Sequence, residues 1–421
     1  MLILGRGTRQ LKGYTISQYP VTDPHHKEDV QELKEEAEAA SKAGLKVHYD
    51  DSVRVQGWDG AIDQTGGLVY SDQATFHPTK YLVGLLKWLK DQPNFTCYTN
   101  TRVMDISEKG VKLLGLGSKH VEVTTENGHQ ISCKNAVEAT CVPLQKLSVI
   151  AQEEYYRTYC IAVRVPRGYI EDCLLYDSAD PYMYVRMTEC DKEHDYAVVG
   201  GCDHKVGQED PRGRYEKLEK WTRERFTKAG PVDYKWSGQV FEPVDFVAYI
   251  GKNQGNDNIY IITGDSGNGL THGVLAGKLI ADEIQGVPNT WGSLYNPKRV
   301  GSILKSLPDM LSHDLQINAQ YKRFLDTDIK DIEDLLPGSG GVLNKPGKIG
   351  TVPVAVYKDE GGQIHTRSAV CPHLHAVVCW NPVEKSWDCP VHGSRFSPQG
   401  VCVMGPAKGN LSAVEPEKVG A

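Results

Sequence analysis

The sequence predicts a protein in two parts: a mixed α+β/α/β domain built around an antiparallel sheet, then a small all-β domain. Three observations predict it. Strand-like runs follow one another through the middle of the chain, YCIAVRVP, YMYVRM and YAVVGG, so residues from about 151 to 250 form an antiparallel layer. In NIYIITGDSGNGLTHGVLAGKLIADEI an apolar strand from Ile259, a glycine-rich turn and a helix make one strand, turn, helix unit. Further on, VPVAVYKDEGGQIHTRSAVC is a two-strand pattern turning at Gly361-Gly362, and it leads straight into two Cys/His pairs.

At 421 residues the chain is too long for one core. Its 40% hydrophobic and 24% charged residues are ordinary for a globular protein. A formal charge of −7 gives no electrostatic reason to expect nucleic acid or an anionic membrane as partner. No run approaches the ~18 apolar residues of a membrane span; LVGLLKWL from Leu82 is short and carries Lys87. MLILGRGTRQ lacks the apolar core of a signal peptide, so a cytoplasmic or organelle-matrix location is expected. Eleven cysteines, an odd number scattered along the chain, argue against a disulfide scaffold.

Along the chain, DPHHKEDVQELKEEAEAASKAGL reads as a helix with Val30, Leu33 and Ala37 on one face and Gly44 as its stop. Phe76-His77-Pro78 opens a second helix whose Leu82, Leu85, Leu86 and Leu89 should pack on a sheet. VEVTTENGHQIS alternates around Asn127-Gly128 as a hairpin, and NAVEAT follows as a buried strand. In the helix after the glycine turn, Val274, Leu275, Leu279, Ile280 and Ile284 should face inward. A segment with Pro288, Pro297 and Pro308 leads to a helix from Asp309 to Phe324, and a domain boundary falls near 327. The divisions expected are 1–300, a helical linker 301–326, and 327–421.

Cys371-Pro-His373 and Cys389-Pro-Val-His392 place four soft or borderline ligands on two tight loops, which means a metal site. Two Cys and two His suit a structural zinc. They also suit a [2Fe–2S] centre in which two Cys hold one iron and two His the other. Gly393-Ser394-Arg395-Phe396 after the second pair, and Gly405-Pro406-Ala407 as a covering loop, complete a pattern that strongly resembles the Rieske domain family over about 95 residues. That resemblance implies a one-electron centre, with His373 and His392 near an exposed tip. The positions of the disulfide found in many members hold Ala376 and Val391, and Cys379 and Cys402 read as buried thiols. Ser394 matches a serine that raises the potential, while Phe396 replaces a tyrosine that assists it, which implies a middling potential. His375 reads as a surface residue.

The turn Gly264-Asp-Ser-Gly-Asn-Gly269-Leu-Thr-His-Gly273 opens a helix whose first N–H groups favour anionic atoms. FHPTKYLVGL, TRVMDI, NAVEAT, the PVDFVAYIG run and this turn, in that order, resemble the flavoenzyme family of D-amino-acid oxidase type over about residues 10 to 300. The resemblance implies an FAD-binding flavoenzyme domain, with Val103, Gly264, Asp265, Gly267, Asn268, Gly269, Leu270 and Thr271 near the cofactor. Such enzymes begin with a strand, a G-x-G-x-x-G turn and a helix. Here Gly5-Arg-Gly7 lacks the third glycine, and Gly115-Leu-Gly117 is no better. The flavoenzyme domain is therefore expected to be incomplete, without its first βαβ unit, whether as a truncated isoform, a gene-model fragment or a shortened protein.

The resemblance implies oxidation of a C–N bond in an amine or amino acid. Family members acting on α-amino acids often carry an arginine before the P-x-x-D run; Gln239 stands there, which favours an amine or a modified substrate. Arg157, Tyr159, Tyr184, Arg186 and His204 come from the substrate layer, with Tyr184, Arg186 and His204 the first catalytic candidates and Trp236 a core residue. Two function classes follow. One is an enzyme passing electrons from FAD through the [2Fe–2S] cluster to an unknown acceptor. The other is a flavin-free Rieske electron-transfer protein on a truncated scaffold. A Rieske oxygenase needs an iron held by two His and a carboxylate, and no His follows His392.

Overall fold

The computed structural model of the chain describes residues 8–110, 118–144, 149–299, 319–346 and 351–414. The glycines at 5 and 7, those at 115 and 117, and the helix expected from 309, apart from its last turn, lie outside the described residues. Two compact units emerge. One takes in the chain up to Cys97 with Thr158–Asp203 and Arg212–Gly238; the other holds Tyr98–Arg157, His204–Pro211 and everything from Gln239 onward. The 327–421 segment falls in the second unit together with three earlier stretches of the chain.

An eight-stranded sheet, most of whose residues belong to the first unit, runs in the order Val232–Pro243, Glu153–Pro166, His194–Lys205, Tyr184–Glu189, Cys173–Asp177, Arg9–Ile16, Gly67–Thr75, Val47–Asp50. The antiparallel layer expected from 151 to 250 is present. It is extended by Arg9–Ile16, which joins parallel to Cys173–Asp177 and antiparallel to Gly67–Thr75. Alternation along the strands buries Tyr159, Ile161, Val163, Val165, Val185, Met187, Ala197 and Val199 in one core with Leu218, Trp221 and Phe226. Trp236, expected there, is instead 42% exposed.

Helix His26–Lys42 buries Leu33, Ala37 and Ala40 against Val47 and Leu68, and its expected face is shifted: Asp29 is buried, with Val30 only half so. The Ser178 hydroxyl, 2.7 and 2.8 Å from the two Asp29 oxygens, gives its one proton to the carboxylate and so offsets part of the cost of burying it. The helix Pro78–Lys90 forms as expected, with His77 accepting from the Lys80 N–H as its cap. Its packing differs: no residue is buried, and Leu82, Val83, Leu86 and Trp88 are exposed. An amphipathic pattern records the face a helix can bury; it does not supply the surface to bury it against.

In the second unit, His120–Thr125 and Gln130–Cys133 make the hairpin at Gly128, whose φ of 79° is the left-handed turn conformation that Asn-Gly favours. Strand Ala136–Glu138 lies parallel to Ile259–Thr263 at the edge of a three-stranded sheet completed by Tyr249–Lys252. It is not the buried strand expected: Val137 is exposed, while Glu138 is buried and accepts from the Leu144 N–H. Helix Gly269–Gln285 buries Leu279, Ile280 and also Ala276, whereas Val274 and Ile284 are exposed. Strands Ser339–Pro346, Thr351–Lys358 and Ile364–Ser368 form one small sheet, and Cys379–Asn381, Ser386–Asp388, Arg395–Phe396 and Cys402–Met404 another. All eleven cysteines are free thiols. Among the described residues no helix is long and apolar enough to cross a membrane.

Candidate functional site

Two loops of the C-terminal sheets bring Cys371, His373, Cys389 and His392 together. Tight backbone bonds shape them: the His375 N–H donates to Cys371 O at 3.0 Å, and the Gly393 N–H to Cys389 O at 3.0 Å. The ring centroids of His373 and His392 are 4.9 Å apart. The two sulfurs are within hydrogen-bonding reach of each other: the bond from Cys371 lowers the pKa of the Cys389 thiol, opposed by burial and helped by the N–H groups of His392 and Val391, and the same bond raises that of the Cys371 thiol. The Cys371 sulfur receives the His373 N–H and the Ser394 hydroxyl. Donors aimed at sulfur favour the thiolates that iron requires. Sulfur beside sulfur and imidazole beside imidazole fit a two-iron centre. The residues present therefore fit a [2Fe–2S] cluster.

All four ligands are buried, His373 to 7% and His392 to 5% exposure. This corrects the expectation of an exposed histidine tip. The cover comes from earlier parts of the chain: Tyr155 packs edge-on against His392 at 5.7 Å, and Gln239 Nε2 donates to Gly393 O at 2.9 Å. Ala407 of the covering loop donates its N–H to Ser394 Oγ at 3.0 Å. Leu374 and His375 are exposed, in keeping with the surface reading of His375. Cys379 is half-buried and donates to Gly207 O, and Cys402 is buried with its thiol on Ala407 O.

Gly264 and Gly267 take φ of 67° and 78°, and helix Gly269–Gln285 follows without a capping side chain. A Cβ at Gly264 would lie 2.5 Å from Pro243 Cγ and 2.9 Å from Glu153 Oε1, so glycine is required. At Gly267, Gly273 and Gly277 a Cβ would meet nothing within 4 Å. The backbone is thus open at Gly267 and Gly273, with Leu270 and Thr271 exposed beside them, whereas a Cβ at Gly269 would lie 2.5 Å from Asp265 Oδ2; an open face at a helix start fits the electron-accepting end of a flavin. Asp265 already sits at that start, its carboxylate accepting the Gly267 N–H, and burial raises its pKa. Asn268 N–H bonds Asp265 O at 2.7 Å. Val103 pairs with Thr125 and packs against the cluster of Ile106, Val121 and Ile259.

Of the three catalytic candidates, Tyr184 and Arg186 belong to the first unit and His204 to the second. Tyr184 and Arg186 share the sheet face opposite the core of the first unit. The Tyr184 ring occupies the space a Cβ at Gly200 would fill, and its hydroxyl lies 3.3 Å from both Thr158 Oγ1 and Cys160 Sγ. Burial pushes its pKa up. Arg186 Nη2 bonds Phe76 O at 3.5 Å. His204 belongs to the second unit, where it lines a cavity of about 40 Å³ with Gly207, Cys379, Asn381 and Asp388. Tyr159 is core, and Arg157 forms a bidentate pair with Glu384 at 2.9 and 3.0 Å. Sequence reasoning missed Tyr155 and Glu153, which carry no motif; only their place in a strand entering the cluster's neighbourhood gives them meaning.

Fold and site together define a flavoprotein oxidoreductase scaffold carrying a Rieske-type iron–sulfur module. The family model "FAD dependent oxidoreductase" matches residues 10–283, and that of the "Rieske [2Fe-2S] domain" matches 329–415. The chain belongs to the FAD dependent oxidoreductase family of D-amino-acid oxidase type and carries a C-terminal Rieske domain. It is 28% identical over 391 residues, 92% of this chain and 72% of the relative, to the "Putative Rieske 2Fe-2S iron-sulfur protein YhfW" of Bacillus subtilis (strain 168). Over 93 residues, 22% of this chain and 52% of the relative, it is 36% identical to cytochrome b6-f complex iron-sulfur subunit 2 of Synechocystis sp.. Glycine oxidase from Geobacillus kaustophilus shares the fold, with a TM-score of 0.54, 14% identity and coverage of 70% of this chain and 76% of that one. The cofactors of these two domains are FAD and a [2Fe–2S] cluster.

Proposed function

We propose that the protein oxidises a C–N bond of an amine or amino acid and passes the electrons to its own Rieske centre. One observation carries this reading. Gln239 and Phe241, two residues apart on one strand and so about 7 Å apart, touch the two cofactor sites: Gln239 bonds the cluster loop at Gly393, and Phe241 O accepts the N–H of Ser266 in the glycine turn.

FAD supplies the hydride acceptor. The chain's own residues do the rest. The open face at Gly267 and Gly273 receives the ring, and the uncapped helix start favours negative charge there. Gln239 has no charge and its amide is committed to Gly393, so that position offers no guanidinium for a carboxylate. This supports an amine substrate. A small-molecule substrate is in keeping with the glycine oxidase likeness in fold.

The test is anaerobic. Protein loaded with iron, sulfide and FAD is mixed with a panel of alkylamines and N-alkyl amino acids, and cluster reduction is followed by EPR. A reduced-cluster signal growing with flavin bleaching is the expected result. Bleaching with a cluster that stays oxidised overturns the internal transfer. Protein that retains iron but releases no FAD on acid treatment favours the flavin-free electron carrier instead.

A further inference from the structure

The second cluster loop is gripped at both ends by residues that precede the Rieske module in the chain. At Pro390, Gln208 Nε2 donates to the carbonyl at 2.8 Å, and Gly207 lies so close that a Cβ there would sit 3.1 Å from the proline backbone. Three residues on, Gln239 Nε2 donates to Gly393 O, and a Cβ at Gly393 would collide with that nitrogen and crowd Tyr155 at 3.2 Å. Tyr155 meets the His392 ring at 82° and 5.7 Å, and is itself held edge-on by Phe241 at 5.2 Å. The result is a ligand histidine 5% exposed.

We infer that Tyr155 and Gln239 are positioning residues for the cluster, closing the His392–Gly393 side against water and fixing its orientation. The cluster's histidine side is thereby turned to the chain itself and away from an external partner. The charge balance gives this a measurable consequence. Two ferric ions, two sulfides, two thiolates and two neutral imidazoles sum to zero, and taking up one electron converts one ferric to ferrous iron and leaves one negative charge. Excluding water disfavours the more highly charged form. The seat therefore holds the reduction potential down, and opening it raises the potential.

The experiment uses the full chain loaded with iron and sulfide, with dithionite as reductant, so it holds whether or not the flavin reading does. Potential is measured by spectroelectrochemical titration and ligand geometry by the g-values of the reduced cluster. Tyr155→Leu and Gln239→Leu should each shift the one-electron equilibrium about tenfold toward the reduced form, about 59 mV, with altered g-values. Tyr155→Phe, which keeps the ring edge, should stay within about twofold of the parent. Both leucine variants at full iron content with parental potential and g-values would overturn the inference. Should Tyr155→Leu fail to take up iron, Gln239→Leu is read by the same two measurements and decides alone.

Discussion

Glu153 is fully buried between the glycine turn and the strand that leads to Tyr155, and its protonation follows from counting hydrogens. Thr263 Oγ1 lies 2.7 Å from Cys141 O and 2.8 Å from Glu153 Oε1, yet a hydroxyl has one proton to give. A protonated Glu153 resolves this by donating to Thr263, which then donates to Cys141. Burial, the largest effect, raises the Glu153 pKa from 4.5 to about 8, with the Asp265 charge adding to it and the Thr263 hydrogen bond and the Arg299 charge opposing it. The folded form thus holds a proton that the unfolded chain releases above pH 4.5. The associated stability is fully present below that pH and is lost as pH rises through about 8. Denaturant midpoints should therefore fall between pH 5 and 8, and Glu153→Gln, whose amide keeps the donor, should flatten the fall. A variant with the parental slope would show that the carboxyl is ionised in the folded state.

Between elements, a buried ladder of alternating charge ties strand Glu153–Pro166 to the Rieske sheets: Arg157 to Glu384, Glu384 to Arg395 at 2.6 Å, and Arg395 to Asp388 at 2.7 and 2.8 Å. Asn381 and Ser386 also donate to Asp388, at 2.9 and 3.0 Å. Arg395→Met would leave the buried Asp388 without its cation while Glu384 keeps Arg157, at a cost of about 3–5 kcal/mol, read as a lowered denaturant midpoint. Helix Pro78–Lys90 makes the opposite prediction. Leu82→Glu with Leu86→Lys should change stability by no more than about 0.5 kcal/mol and reduce binding of a hydrophobic dye. A loss larger than that would mean the face is covered in solution. These elements also separate what the sequence discloses from what it hides. Cys371, His373, Cys389 and His392 are legible because loop ligands sit at fixed local spacing, and the Gly264 turn because strand, glycine and helix follow within one stretch. The seat on Gly393 is hidden, because Gln239 and Tyr155 reach it through tertiary pairing that no local period encodes. Trp236 and Val274 misled for the same reason: an apolar residue on a regular element states a preference for burial, not a neighbour.

For the molecule as a whole, the Rieske module shares a compact unit with Tyr98–Arg157, His204–Pro211 and the glycine turn. Removing the metal should accordingly loosen more than its own loops. After chelation under reducing conditions, hydrogen exchange is expected to quicken around Cys371–His375 and Cys389–Ser394 and also in Tyr155–Arg157 and Gln239–Phe241, with a lower melting temperature. Loss of protection confined to the module would show the seat to be energetically idle. The buried ligands carry one more consequence, for biogenesis. Residues that cover the cluster are synthesised well before the loops that bind it, so a receiving surface can stand ready when Cys389 and His392 emerge. Iron and sulfide must reach the four ligands before that surface closes. Maturation then becomes a race between delivery and docking, in which a chain that docks first is admitted to cluster loading only when the second loop reopens.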